Sequence, residues 1–181
     1  MNLLQENLRD WIVAGLQLKG LPNKDGKPKG ELPYYFNNMI AKYSSASDSF
    51  GISIEAENVL KTERPDYLKN PLTRHHFSEG KYAYKVEHHI PANRVSGELF
   101  SLKEVDITLP SVTAILDFPG PPCIILKTED QLLKDGKLRC DMPEGWQWDK
   151  DADRYARYRS VTPRILLSKM LVPLAEGRVY R

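Results

Sequence analysis

Residues 82–90, with the sequence YAYKVEHHI, carry the clearest strand pattern in the chain. Bulky side chains occupy every second position, including Tyr84 and Val86, and small or charged residues separate them. Successive side chains of a strand point to opposite faces of its sheet. The alternation therefore predicts a strand that directs His88 to an apolar face and His89 to a polar face.

Further strand patterns lie on both sides of this stretch. Residues 50–54 alternate apolar with small or polar side chains, and a period of two is typical of a strand. Aliphatic runs predict more strands at 99–109, 112–118 and 123–127. The turn residues Pro-Gly-Pro at 119–121 predict that the last two of these strands form a hairpin.

Helical patterns flank the strand-rich block. Apolar residues at helical spacing predict an amphipathic helix over residues 2–18 with Asn2 as its cap, and Pro33 suits the first turn of a second helix through Tyr43. Three shorter C-terminal helices are also predicted. The first begins at a capping box of Thr128 and Gln131 and ends at Gly136. The second contains Tyr155 and Tyr158 and is capped by Asp149 or Asp151, and the third runs from Thr162 to Pro173.

This order of elements predicts the fold class. Helices that flank a block of strands favour an α+β fold over a repeated β-α-β unit. We therefore expect a single domain over residues 1–181, with a central, mostly antiparallel sheet between N-terminal and C-terminal helices. Within it, the glycines, prolines and lysines of residues 20–31 predict a flexible basic loop that contains Lys24, Lys27 and Lys29.

Composition limits the class of protein. The chain has 181 residues, of which 41% are hydrophobic and 28% charged, as is typical of a folded domain. It carries only two cysteines, no secretory signal pattern and no apolar stretch long enough for a membrane span, so we expect a cytoplasmic protein without a membrane partner. The net charge of +2 gives no whole-molecule argument for a nucleic-acid partner.

All four histidines lie between residues 75 and 89. Imidazole exchanges protons near neutral pH and is a common metal ligand, so this window is a candidate site whose metal and cofactor the sequence leaves unknown. In a catalytic interpretation, His89 and either His75 or His76 act as base and acid in phosphodiester cleavage, and Lys85 or Arg94 stabilises the added negative charge. The alternative is a core His88 with three solvated neighbours.

The C-terminal region interleaves arginines with tyrosines. Arginine forks bind phosphates and tyrosine rings stack on unpaired bases, so this mixture is typical of single-stranded nucleic-acid binding. Trp146 and Trp148 would add a stacking surface. Alternatively, the tyrosines belong to the core and the arginines pair with nearby aspartates. The candidate nucleic-acid contacts, beside the three loop lysines, are Arg94, Arg154, Arg157, Tyr158, Arg159 and Arg164.

Several nuclease and nucleotide-binding motifs are excluded. Residues 86–91 resemble the first strand of an HNH nuclease, but no His or Asn follows Asn93 to supply the later positions. The acid-x-Lys step of another nuclease core fails because Ile125 stands two residues before Lys127. Two cysteines cannot form a zinc ribbon, and no phosphate-binding glycine loop follows a strand.

Two functional hypotheses follow from these patterns. The first is a small nucleic-acid-associated protein, in its enzymatic form a histidine-dependent phosphodiesterase or endonuclease. The second is a non-catalytic protein-interaction module, such as an inhibitor or assembly component of a phage or mobile element, anchored by the aromatic residues of the 34–43 helix. The position of the histidine pairs, converging on one pocket or pointing apart, distinguishes the catalytic hypothesis from the other.

Overall fold

The structure, a computed structural model, describes residues 1–18, 32–78, 83–149 and 152–175, without the side chains of residues 32–34, 74 and 78. The predicted basic loop at 20–31 lies outside these residues. The described helices are α1 (Leu3–Gln17), α2 (Leu32–Ser45), α3 (Ile54–Glu63), α4 (Arg74–Ser78), α5 (Ala92–Ser101), α6 (Leu109–Asp117), α7 (Lys127–Asp135) and α8 (Ala156–Arg159). The strands are β1 (Ser49–Ser53), β2 (Tyr84–Glu87), β3 (Cys123–Leu126) and β4 (Leu167–Pro173).

The four strands form one sheet in the order β2-β3-β1-β4. β2 pairs antiparallel with β3, and β4 pairs antiparallel with β1, whereas β1 and β3 are parallel with Gly51 opposite Cys123. The predicted α+β fold with a mostly antiparallel central sheet is confirmed, and the sheet is mixed because of its middle pair.

The N-terminal helix forms where its spacing and cap predict it. Asn2 and Gln5 make a capping box in which each side chain accepts a hydrogen bond from the other residue's backbone N–H. Leu8, Ile12 and Leu16 are buried on the inner side of the helix. A Cβ on Gly15 would lie 2.8 Å from the ring of Phe36, so this glycine allows α1 and α2 to approach closely.

Two predicted strands are wrong, because α5 and α6 occupy residues assigned to 99–109 and 112–118. Thr108 caps α6 by accepting a hydrogen bond from the Ser111 N–H, and Pro110 lies in its first turn. A short apolar run fits either a buried helix or a buried strand. The predicted hairpin is consequently absent from the described chain, and β3 pairs with β1 and β2 instead.

The C-terminal helix predicted from Thr162 to Pro173 is also wrong. The Thr162–Pro163 peptide bond is cis, and residues 167–173 form β4 against β1. α7 is present and ends before Gly136 as predicted, but the predicted capping box of Thr128 and Gln131 is wrong. The helix begins at Lys127, and the side chain of Glu129 accepts a hydrogen bond from the Leu126 N–H at 2.8 Å. α3 was not predicted at all.

Three apolar clusters stabilise the fold. One lies among α1, α2, α5 and α6. The other two cover opposite faces of the sheet: Phe50, Ile52 and Ile124 pack against α3 on one face, while Cys123 and Ile125 pack against α7 and residues 158–165 on the other. Among the described helices, none is long and apolar enough to cross a membrane.

Candidate functional site

The two histidine pairs lie at opposite ends of β2. The ring of His76, in α4, lies 6.0 Å from the ring of Tyr84 at the start of the strand. His89 follows the end of the strand and packs against Tyr155 with ring centroids 4.8 Å apart. A strand advances about 3.3 Å per residue, so β2 spans roughly 10 Å from Tyr84 to Glu87, and His89 lies two residues beyond its end. The structure therefore separates His75 and His76 from His89.

The predicted orientation of His88 and His89 is wrong. His89 is the buried member, 5% exposed, whereas His88 is half-buried. β2 ends at Glu87, so the alternation does not extend to the histidines. In addition, the supposedly polar face of β2, which carries Lys85 and Glu87, is covered by the C-terminal segment. Lys85 lies opposite Ile125 on this face and does not line the cavity described below.

Arg157 fixes the C-terminal segment to the sheet. Its side chain is fully buried and donates through Nη2 to the Glu87 carboxylate and the His88 carbonyl. Nη1 donates to the carbonyl oxygens of Leu138 and Arg139, at 3.0 Å each. Burial raises the pKa of the Glu87 carboxyl, and the guanidinium opposes that shift. One cation thus ties α8 to β2 and to the segment after α7.

Two predicted nucleic-acid contacts, Arg157 and Tyr158, lie in the core. Both side chains are 0% exposed. The Tyr158 hydroxyl donates toward the His88 carbonyl at 3.4 Å, and its ring packs against His89 with centroids 5.5 Å apart. Buried side chains hold the fold together and present no surface to a nucleic acid.

The remaining candidate cations include four arginines that the structure describes. Three have partners within the described chain: Arg94 with Asp141 at 2.5 Å, Arg154 over the ring of Phe118 at 5.3 Å, and Arg159 with Asp153 at 3.1 Å. Arg164 is exposed. Lys24, Lys27 and Lys29 lie outside the described residues.

The predicted aromatic anchor on α2 is mostly internal. Phe36 is 1% exposed and Tyr43 is 2% exposed, and the Tyr43 hydroxyl donates to the Asp117 carboxylate at 2.5 Å. Tyr35, by contrast, is 57% exposed. The larger exposed apolar surface belongs to α1, where Leu4 and Trp11 point outward.

His89 borders a cavity of about 620 Å³ between the sheet and the C-terminal segment. Its floor is the β1–β3 pair at Gly51 and Cys123, and Leu171 of β4 forms one side. Most of the other lining groups are aliphatic or aromatic. They are Ile52, Ile54, Pro121, Tyr155, Tyr158, Arg159, Ile165, Leu166, Leu167 and Ser168.

The imidazole of His89 is neutral at neutral pH. Burial, together with the positive charges of Arg157 and Arg154, lowers its pKa to about 3. Its Nδ1 atom is buried and has no hydrogen-bond partner among the described residues. Burial of the same kind raises the pKa of the Cys123 thiol, so this cysteine stays protonated.

The rim of the cavity carries one cation. Arg159 is 63% exposed at its side chain and pairs with Asp153, and no other Lys or Arg is among the lining residues of the described chain. Nor do three His, Cys, Asp or Glu side chains meet as a metal site anywhere in the parts of the chain that the structure describes. The site combines apolar walls, a neutral imidazole and one guanidinium, that of Arg159, which pairs with Asp153.

The chain matches no protein-family model, no curated protein and no solved structure. The residues predicted from the sequence include His89, Tyr158 and Arg159, in other roles, but not Gly51, Leu166 and Leu171. Gly51 had a local signal, because a glycine inside a strand often marks the close approach of a ligand or another backbone. The two leucines had none.

Proposed function

We propose that the protein binds a small apolar carboxylic acid in the His89 cavity. The observation that carries this proposal is the combination of apolar walls with Arg159 as the one lining cation of the described residues. A volume of about 620 Å³ falls within the roughly 300–1,000 Å³ typical of small-molecule sites. The apolar body of the ligand lies over Gly51 and against Leu171, and its head group lies at the rim.

The single guanidinium among the described lining residues favours a ligand with one carboxylate over a ligand with two charges. One guanidinium matches one carboxylate, and its five N–H donors allow Arg159 to keep Asp153 while it binds a ligand. A phosphate carrying two charges would find no second cation among the described lining residues. The neutral His89 ring adds a hydrogen-bonding group without adding charge.

Calorimetric titration with octanoate tests the proposal, with 1-octanol as the neutral ligand of matched length. We expect saturable octanoate binding with a Kd of roughly 0.1–1 mM and weaker binding of the alcohol. Arg159→Gln should remove the preference for the acid, because it removes the positive charge. Absence of octanoate binding, or equal affinities for the two ligands in the parent protein, would overturn the proposal.

The variant Gly51→Val tests whether the ligand binds in the His89 cavity, and we expect it to keep the fold. A Cβ at Gly51 would lie 3.7 Å from Cys123 Sγ and from the Pro122 carbonyl oxygen, both ordinary contacts. Valine also suits a strand better than glycine does, so the variant should fold at least as well as the parent. Its isopropyl group occupies the cavity floor and should abolish octanoate binding. Gly97→Ala, whose Cβ meets open space elsewhere in the molecule, is the matched control.

A second candidate function, a protein-interaction role, is favoured by the outer side of α1. Leu4, Trp11 and Leu18 are 53%, 66% and 45% exposed and are spaced seven residues apart. Two antiparallel copies of this helix would place Trp11 against Trp11 and Leu4 against Leu18, which is the self-complementarity that a two-fold interface needs. We therefore propose a second copy of the chain as the partner.

Sedimentation velocity over a range of concentrations tests this pairing. The parent should form dimers, and Trp11→Ser should remain monomeric because it removes the central apolar side chain. Val105→Ser is the control, since Val105 is 82% exposed outside the α1 surface. A monomeric parent at every concentration, or equal dimerisation of the two variants, would contradict the pairing.

A further inference from the structure

A second cavity, of about 550 Å³, lies between α5 and the segment before α8. It shares no lining residue with the His89 cavity. Its lining includes two tryptophans, Trp146 and Trp148, and the carboxylate of Glu98. The full lining is Asn93, Arg94, Gly97, Glu98, Asp141, Trp146, Gln147 and Trp148.

The two tryptophan rings stand almost perpendicular to each other. Their centroids are 5.9 Å apart with an interplanar angle of 86°. Trp146 is held by its Nε1–H, which donates to the Asp153 carbonyl oxygen at 3.0 Å, and Trp148 packs on Phe118 at 5.0 Å. The protein therefore fixes two large aromatic surfaces at one cavity, and tryptophan is the aromatic side chain that attracts cations most strongly.

One carboxylate that lines the cavity has no ion-pair partner among the described residues. Arg94 is neutralised by Asp141, with Nη2 to Oδ1 at 2.5 Å and Nε to the same oxygen at 2.6 Å. Glu98 has no ion-pair partner within the described chain, and burial raises the pKa of its carboxyl. A bound cation would supply the missing opposite charge.

We propose that this cavity binds an organic cation with a methylated ammonium group. A quaternary ammonium is weakly hydrated and has no N–H to satisfy, so aromatic walls and one carboxylate suit it better than they suit a bare ammonium ion. The chemistry is shared by a free choline-like molecule and by a trimethylated lysine side chain. This inference stands apart from the proposal for the His89 cavity, because it rests on a different set of residues.

Nuclear magnetic resonance titration, followed at the indole N–H signals, tests the proposal. Choline and N-acetyl-trimethyllysine amide serve as the two cationic probes, and 3,3-dimethylbutanol is the neutral analogue of choline. We expect the signals of Trp146 and Trp148 to shift saturably with at least one cation, while Trp11, on α1, stays unchanged. The neutral analogue should bind at least about tenfold more weakly. Tighter binding of one cation identifies the free or the lysine-borne source.

Gly97→Leu and Glu98→Gln separate this site from a general effect on the protein. Gly97 lines the cavity, a Cβ at this position meets nothing within 4 Å, and leucine is a better helix former than glycine. Gly97→Leu should abolish the shifts, Glu98→Gln should weaken binding, and Gly51→Val should have no effect. Equal binding of choline and its neutral analogue, no shift with either cation, or full binding by Gly97→Leu would overturn the inference.

Discussion

Replacing Arg157 by methionine should strongly destabilise the fold. The substitution keeps a long apolar stem but removes the donors to the Glu87 carboxylate and to three carbonyl oxygens, those of His88, Leu138 and Arg139. Removing one partner of a buried ion pair typically costs about 3–5 kcal/mol, because the other charge stays buried without compensation. The orphaned carbonyls add to that loss.

Urea unfolding of Arg157→Met and Arg159→Met measures the difference between a buried and an exposed arginine. Arg159 is 63% exposed at its side chain, so its ion pair with Asp153 should contribute no more than about 1 kcal/mol. The double variant Arg157→Met with Glu87→Gln should recover part of the loss, since it removes the stranded charge. If the free energies of unfolding of Arg157→Met and Arg159→Met differ by less than about 1 kcal/mol, the structural role assigned to Arg157 is wrong.

Two further predictions concern acid stability and nucleic acid. Burial lowers the pKa of His89 to about 3 from an ordinary 6.5, so only the unfolded chain takes up this proton as the pH falls from 6.5 toward 3. The contribution of neutral His89 to the free energy of unfolding is complete above pH 6.5 and should fall by about 2 kcal/mol by pH 5. The variant His89→Phe keeps the ring packing and should lose this part of the pH dependence. Urea unfolding at pH 7 and at pH 5 measures the difference. An unaltered pH dependence would refute it. Nucleic-acid association stays a prediction that depends on the exposed arginines Arg159 and Arg164. If both contact phosphates, reversing both charges should reduce the slope of log binding constant against log salt concentration by about 1.4 for single-stranded RNA or DNA. Fluorescence anisotropy measures this slope. An unchanged affinity and slope would end that hypothesis.

The sequence correctly predicts those helices and strands whose capping residues and apolar spacing lie within the element itself. Asn2 and the spacing of Leu8, Ile12 and Leu16 predict α1, and alternation predicts β1. The segments around Thr108 carry apolar runs without a decisive period, and their packing among α1 and α2 settles them as helices. Local pattern alone does not contain that information.

The candidate site depends on contacts that no local pattern contains. Arg157 and Glu87 are 70 residues apart, and a sequence offers no sign that a given arginine will enter the core. Charged residues are mostly exposed, so the expectation of a surface cation at Arg157 followed the general rule. Likewise, His89 meets Gly51 and Leu171 only after the C-terminal segment has folded over the sheet.

The backbone amide signals of Gly51 and His89, followed by nuclear magnetic resonance during an octanoate titration, test the central claim most directly. Both residues line the cavity, whereas Gly97 lines the other one and serves as the internal reference. We predict saturable shifts at Gly51 and His89 with one common Kd, no shift at Gly97, and loss of the response in Gly51→Val. Absent shifts, or shifts of similar size at all three residues, would contradict the assignment of a ligand to the His89 cavity.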